Sequence, residues 1–509
     1  MQRKKAVSVL KSKKAASLCG YTSIFVSTVL NLVLTRMYLR YLGKDGYGLY
    51  QMIYSIALYV LVLDMGISTV MVRYLSEYRS KGDKESAEKF AFHIIVLITG
   101  ILFLLIIGGT ILNASIERIY PNLSASDYDV SHRMFIFMIG SLCLTVVQHF
   151  FYGVINAHEL FVVGNLSSII ASVLKFTIVY LLLSKGIGAI AIAWSDFAVK
   201  LFVVILAAYI SFAKLRFRVR IHTLNFKLLA GVFALMGGML LHSISAFANN
   251  AIDKTILGII MTKADVAVYA VAMPFISVFN MLPTVFTNLF LPTAVRLKNH
   301  GAGGAEYTDL IVKVGRYQFA ICGLMLVGFL ICGKDFISLM YGGDVMKAWA
   351  IAIIIMVPSM IQLSEEALNG VIDANDKRLF FSSMVLVMSI MNIILTVVLV
   401  KMIGILGAPI ATGISYITYF IVVRNVFAKK LFGIQISRMI KEIPARTITC
   451  LLVAAVPGII LNGLFPGKHS VFLFVVKVVA TCGCYIFAML RHGFSEGERK
   501  YVLGILSRK

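Results

Sequence analysis

Charge is scarce in this chain. Asp, Glu, Lys and Arg make up 14% of its 509 residues, against about 25% in soluble domains, which excludes an ordinary soluble fold. No G-x-x-x-x-G-K-[ST] loop occurs, so the chain carries no phosphate-loop ATPase of its own. No H-E-x-x-H and no Ser/His/Asp arrangement occurs either, and no catalytic residue is proposed: the chain is not expected to be an enzyme. The seven cysteines stand alone in apolar stretches except Cys482 and Cys484. That C-x-C has no second Cys or His pair at zinc-ligand spacing, so the cysteines read as small core hydrophobes, with no metal and no cofactor expected. Acidic residues number only 24 against 48 basic ones, a formal charge of +24. The surplus does not call for nucleic acid, because the Lys and Arg sit in short breaks between apolar runs, where a membrane topology signal places them.

What is present is apolar. The sequence is 59% hydrophobic with mean hydropathy +0.89, and runs of about 20 residues, enough to cross a bilayer, recur from end to end. The period-2 alternation of a barrel is missing, leaving helices as the structure that satisfies every backbone group in lipid. The expected fold is all-α and polytopic, with fourteen candidate spans, from about 15–40 and 46–73 to about 443–463 and 470–490. Breaks such as SEYRSKGDKESAEK (Ser76 to Lys89), FAKLRFRVR (Phe212 to Arg220) and RNVFAKK (Arg424 to Lys430) are basic, while the intervening ones hold few cations. Both termini are therefore expected in the cytoplasm, which needs an even number of spans. The basic start MQRKKAVSVLKSKK runs into an apolar stretch longer than a signal peptide, so an anchored N-terminus is expected.

The chain also repeats itself. YGVINAHE (Tyr152 to Glu159) returns as NGVIDAND (Asn369 to Asp376) at an offset of 217, and Lys44 and Tyr50 return as Lys263 and Tyr269 at 219. About six spans separate equivalent points, so the repeat is parallel and its axis would run along the membrane normal. The expected organisation is two pseudo-symmetric six-helix bundles, residues 1–220 and 221–430, and an appendix of two further helices with a tail, 431–509.

Ionisable groups at membrane depth are the functional candidates, because a charge at the bilayer centre costs roughly 2.5 to 3.5 kcal/mol even on lenient scales. The organising stretch is Arg36 to Arg73, two apolar helices joined by a Gly-rich turn at Leu42 to Gly48 and carrying Asp64. Arg36 and Lys175 fall in the outer halves of their spans, and Asp196 and Lys200 lie nearer the middle of theirs. These last two are spaced i, i+4 with the acid first, the orientation that pairs on one helix face. Asp253 and Lys254 lie in the outer part of the seventh span, and Glu365 and Glu366 on the cytoplasmic side of the tenth. The D-x-D of Asp127 and Asp129 reads as a solvated outer loop.

The stretch LGKDGYGLYQMIYSIALYVLVLDMGISTVMVRYLSEYRSKGD, with its LG...YG.Y turn followed by LDMGIS and R.LSEY, resembles the first two helices of the polysaccharide exporter and oligosaccharide flippase family, within the multidrug/oligosaccharidyl-lipid/polysaccharide superfamily. NNAIDKTILGIIMTKADVAVYAVAM (Asn249 to Met273) is similar to that family's seventh-to-eighth helix junction. The resemblance covers essentially the whole chain and implies a transporter of the bacterial cytoplasmic membrane. It would move polyprenyl-diphosphate-linked oligosaccharide to the outer leaflet by alternating access, alongside a polymerase and glycosyltransferases. It further implies a cation-lined cavity, here Arg36, Lys175, Lys200 and Lys254, with Asp64, Asp196, Asp253, Glu365 and Glu366 as candidates for a coupling cation. Asp64 has a second reading, a brace against Arg73. Other functions kept open are a cation-coupled multidrug exporter, a flippase for the peptidoglycan lipid precursor and, remotely, a membrane glycosyltransferase or polymerase.

Overall fold

The computed structural model of the protein describes residues 13–60, 66–467 and 469–493, with side chains from residue 18 onward except 234–250, 282–289 and 291. Its regular structure among those residues is helical throughout. Among the described residues eleven stretches are long and apolar enough to cross a membrane, and two of them, Leu18–Val60 with 43 residues and Arg378–Phe432 with 55, exceed what one crossing needs. Large apolar side chains such as Phe103 (65% exposed), Val387 (67%) and Leu452 (65%) stay on the surface, where lipid rather than water is their solvent. The chain is a multi-pass membrane protein.

It divides into two compact units, Met1–Ala267 and Val268–Lys509. The first holds α1 (Lys13–Val60), α2 (Ile67–Ser80), α3 (Lys84–Ala114), α4 (Ala125–Ala157), α5 (Phe161–Ser184), α6 (Ile190–Tyr209), α7 (Phe226–Ile260) and the start of α8 (Lys263–Asn299). Its core forms where Met71 of α2, Phe90 of α3, and Phe150 and Val154 of α4 meet. The remainder of α8 opens the second unit, followed by α9 (Gly304–Tyr341), α10 (Lys347–Ser364), α11 (Ala367–Ala374), α12 (Arg378–Ile403), α13 (Gly407–Tyr416), α14 (Arg424–Phe432), α15 (Thr447–Leu464) and α16 (Val471–Ala488). Ile311, Leu368, Ala428 and Leu451 lie in the core of that unit.

The Gly-rich turn of α1 is one residue wide. Gly43 takes φ 68° and ψ −176°, a left-handed backbone that glycine adopts without a Cβ penalty, and the helix resumes on either side. The two arms fold back on each other. Tyr38 and Tyr50 would be about 18 Å apart along a continuous helix, yet their rings lie 6.3 Å apart, and those of Tyr38 and Tyr47 stack at 5.5 Å. Gly48, in the second arm, is needed for a different reason: a Cβ there would overlap the Lys263 carbonyl at the start of α8. Gly48→Ala is expected to force two backbones apart and cost about 1–3 kcal/mol, as overpacking does. Gly43→Ala meets no neighbour but would place a side chain at φ 68° and ψ −176°, a region almost confined to glycine, at a cost of about 1–3 kcal/mol. Thermal unfolding of the two variants in detergent checks both losses.

The repeat read from sequence recurs in the backbone. Helices α4 and α11 end alike, with His158 Nδ1 donating to Val154 O at 2.9 Å and Asn375 Nδ2 to Val371 O at 2.8 Å. Each is followed by an acidic residue with left-handed φ, Glu159 at 61° and Asp376 at 57°. The next amide then returns to the helix, Leu160 N to Ile155 O and Lys377 N to Ile372 O. The two segments, identical at four of eight positions, thus share one backbone plan 217 positions apart.

Two expectations need correction. Asp127 and Asp129 are not in a loop: they open α4, where Ser124 and Asp127 form a capping box. Asp127 bonds Lys263 at 2.7 Å, and Asp129 pairs with Arg133 on its own helix. Arg424 is not in a cytoplasmic break, because a π-helical segment, Ile417–Val423, carries the helix from α13 straight into α14 and buries Arg424 to 1% exposure.

Candidate functional site

The polar interior of the first unit begins with four tyrosines on the hairpin of α1. Tyr38, Tyr47 and Tyr50 are buried, and Tyr54 stacks on Tyr50 at 5.7 Å. Tyrosine fits a lipid-surrounded helix hairpin because the ring packs and the hydroxyl still finds a partner. The Tyr50 hydroxyl donates to Asp196 Oδ2 at 3.2 Å, and the other oxygen of Asp196 meets Lys175 Nζ at 2.6 Å. Tyr47 accepts from Gln51 Nε2 at 2.9 Å, and Gln51 Oε1 accepts from Lys254 Nζ at 3.0 Å. Lys254 on α7, Lys175 on α5 and Asp196 on α6 are thereby linked through α1 by hydrogen bonds and stacked rings. Lys200, one turn beyond Asp196, donates to Gln148 Oε1 on α4 at 3.1 Å.

This arrangement is richer in cations than in anions. Lys200 and Lys254 are held by neutral amides, and Asp196 faces Lys175 from the next helix, so the i, i+4 spacing of Asp196 and Lys200 did not select the partner. Below the network, Ser55 and Thr255 share a hydrogen bond of 2.9 Å and Tyr59 donates to Thr255 at 2.9 Å, fixing α7 to α1. Asp253 is buried at 1% exposure beside Lys254. Arg36 is exposed, on the arm of α1 before the hinge. Asp64 and its brace to Arg73 lie outside the described residues. Geometrically the network can hold and orient a group carrying more than one negative charge, since a fixed ammonium is worth more in a low-dielectric interior than in water.

The second unit has charges of another kind. Glu365 accepts from Arg424 Nη2 at 2.6 Å and from Asn425 Nδ2 at 3.1 Å, with the ion pair 1% and 5% exposed at its side chains. Glu366 accepts from Asn369 at 2.7 Å on its own helical turn. Gln148 and Glu365 stand 217 positions apart, so one place in the repeat holds a neutral amide under Lys200 in one unit and a carboxylate under Arg424 in the other. Asp335 of α9 binds Lys477 of α16 at 2.6 Å and His469 at 2.7 Å. The last helix of the pair read as an appendix is therefore bound to α9 by a buried ion pair. Lys477 was legible as a lone charge in the apolar run FLFVVKVVA, and Asp335 stands beside Lys334 in ICGKDFISL; nothing in the sequence paired Asp335 with Lys477. Among the described residues no group of three or more His, Cys, Asp or Glu is placed to hold a metal.

Comparison with known proteins agrees with this architecture. Over 260 residues the chain is 28% identical to the probable flippase AglR of Haloferax volcanii, covering 48% of this chain and 51% of that protein; the match thus spans about half the length of that curated relative. The fold is similar to that of the lipid II flippase MurJ in an inward closed conformation, with a TM-score of 0.71, 16% identity, and 92% of this chain and 98% of that one covered. It is also similar to an inward-facing multidrug resistance MATE family transporter of the MOP superfamily, with a TM-score of 0.61, 15% identity and coverage of 82% and 96%. At these identities the two structures speak for the fold alone. A family model described as polysaccharide biosynthesis protein matches residues 16–298. With more than half of its length inside that match, the chain belongs to the polysaccharide biosynthesis protein family.

Proposed function

We propose that this protein is a flippase, not an enzyme, and that it moves polyprenyl-diphosphate-linked oligosaccharide from the cytoplasmic to the outer leaflet of a bacterial cytoplasmic membrane by alternating access. The observation that carries the reading is the network of Lys175, Lys200 and Lys254 in the first unit, where two of the three ammonium groups rest on neutral amides. A diphosphate would replace those neutral acceptors with anionic ones, adding Coulomb attraction to hydrogen bonds that the ammonium groups already donate. Arg36, exposed on α1, would extend the site toward acidic sugars. A cationic drug would meet the same lysines as repulsion, which weighs against the multidrug reading. Family membership supports a polysaccharide pathway and the AglR match supports a flippase; a polymerase and glycosyltransferases as functional neighbours belong to the proposal alone.

The rest of the plan belongs to the same proposal. Fourteen crossings follow from the apolar runs and two cytoplasmic termini from the charge pattern, and in this proposal residues 1–220, 221–430 and 431–509 form two repeats and an added helix pair. If a cation gradient drives transport, Asp253 and Glu366 are the carboxylates we assign to it, and Asp64 stays a candidate from sequence. Glu365, sealed against Arg424, is a brace.

Deleting the gene in its host is expected to leave lipid-linked oligosaccharide in the inner leaflet and to stop surface glycan formation. A null strain with normal surface glycan would remove the reading. Rescue of a conditional lipid-precursor-flippase mutant would move the cargo to the peptidoglycan precursor, which carries the same diphosphate.

A further inference from the structure

The interhelical ion pairs of this protein differ sharply in how accessible they are. Arg424 and Glu365 have side chains 1% and 5% exposed, and Lys477 and Asp335 2% and 6%. Lys175 and Asp196 are 26% and 24% exposed, although both lie well inside their helices. At 1.5 Å per residue Asp196 sits about 9 Å from the Ile190 end of α6, and Lys175 about 14 Å from the Ser184 end of α5. Charges accessible at that depth face water or a polar ligand, because hydrocarbon would penalise them. Among the described residues the remaining oxygen of Asp196 accepts from Tyr50 at a long 3.2 Å, with no second ammonium or backbone amide hydrogen-bonded to the carboxylate.

We infer that Asp196 is a built-in counter-ion, which occupies Lys175 when the site is empty and is displaced when the anionic head of the cargo arrives. The inference rests on the flippase reading above and assigns Asp196 to cargo exchange rather than to carrying a coupling cation. The cargo's anion would replace the ion pair that Asp196 gives up, so exchanging one anion for another on Lys175 is nearly balanced. Lys200 and Lys254 then decide which anion wins. They offer two further ammonium groups on neutral partners, which a group that spreads its charge over two phosphates would use better than a single phosphate. On the outer side the order reverses, and Asp196 reclaims Lys175 as the cargo leaves. The carboxylate thereby sets a minimum charge for cargo and keeps binding weak enough for release.

The test uses the full chain purified in detergent, with inorganic pyrophosphate as probe and orthophosphate as control, read by isothermal titration calorimetry. Asp196→Asn is expected to tighten pyrophosphate binding by about threefold or more and to narrow the preference over orthophosphate, with glycan export in cells reduced at unchanged protein level. Lys175→Gln is expected to weaken binding, and Lys175→Gln with Asp196→Asn to bind no better than Lys175→Gln alone. If the Lys175, Lys200 and Lys254 variants weaken binding but Asp196→Asn leaves it unchanged or weaker, the counter-ion is wrong and the cargo site stands. If no lysine variant alters binding, the site reading itself falls and the inference with it. An Asp196→Asn protein that no longer folds, judged by its melting profile beside Lys175→Gln, would also overturn the inference, because the pair would then be a brace like Arg424 and Glu365.

Discussion

Lys175→Ala combined with Lys254→Ala is expected to reduce glycan export by about a hundredfold or more, at wild-type protein level and membrane insertion. A hydrogen bond to a charged group is worth about 1.5–3 kcal/mol, so losing two at a diphosphate removes two to four powers of ten from binding. Stability should change little by comparison. Lys254 releases the amide of Gln51, and Lys175 releases an accessible carboxylate that water can solvate. Export is scored by surface glycan per cell, with the protein level from an immunoblot of the membrane fraction. Near-normal export by the double variant would take both lysines out of the site.

Arg424→Met carries the largest expected effect on stability. It strands Glu365 at 4% exposure with Asn425 as its nearby donor, and breaking a buried pair from one side costs about 3–5 kcal/mol. The double variant Arg424→Met with Glu365→Met should recover most of that loss, since replacing a buried pair by apolar groups is often neutral or stabilising. Arg424 also packs over the Phe420 ring at 5.0 Å, and methionine retains part of that contact. Thermal unfolding of the three proteins in detergent decides the matter. A double variant as unstable as the single one would mean that Arg424 acts through packing alone.

Run length and charge placement made the class of the fold legible. Apolar stretches of spanning length can only be helices in lipid, and the LGKDG sequence marked the hinge that Gly43 makes. The repeat was legible because Glu159 and Asp376 end helices in the same left-handed conformation, a constraint that keeps the surrounding residues alike. Partners across helices were not legible. Asp196 had Lys200 at ideal spacing on its own helix, but α5 presses Lys175 closer, and a neighbouring helix leaves no trace in local spacing. Arg424 read as a topology signal because it stands in a basic cluster; the π-helical turn before it rotated it into the core. Asp335 and Lys477 lie too far apart in sequence for any periodicity to join them.

The central claim is that the lysine network of the first unit carries a diphosphate-linked glycan across the bilayer. The most direct measurement reconstitutes the purified chain in liposomes with a polyprenyl-diphosphate oligosaccharide and follows, over time, the fraction open to an added glycosidase. The account predicts that lipid-linked glycan from the inner leaflet becomes accessible with the wild-type protein, and at the protein-free rate with Lys175→Ala and Lys254→Ala together. Equal rates for the wild type and protein-free vesicles, or for the wild type and that double variant, would contradict it.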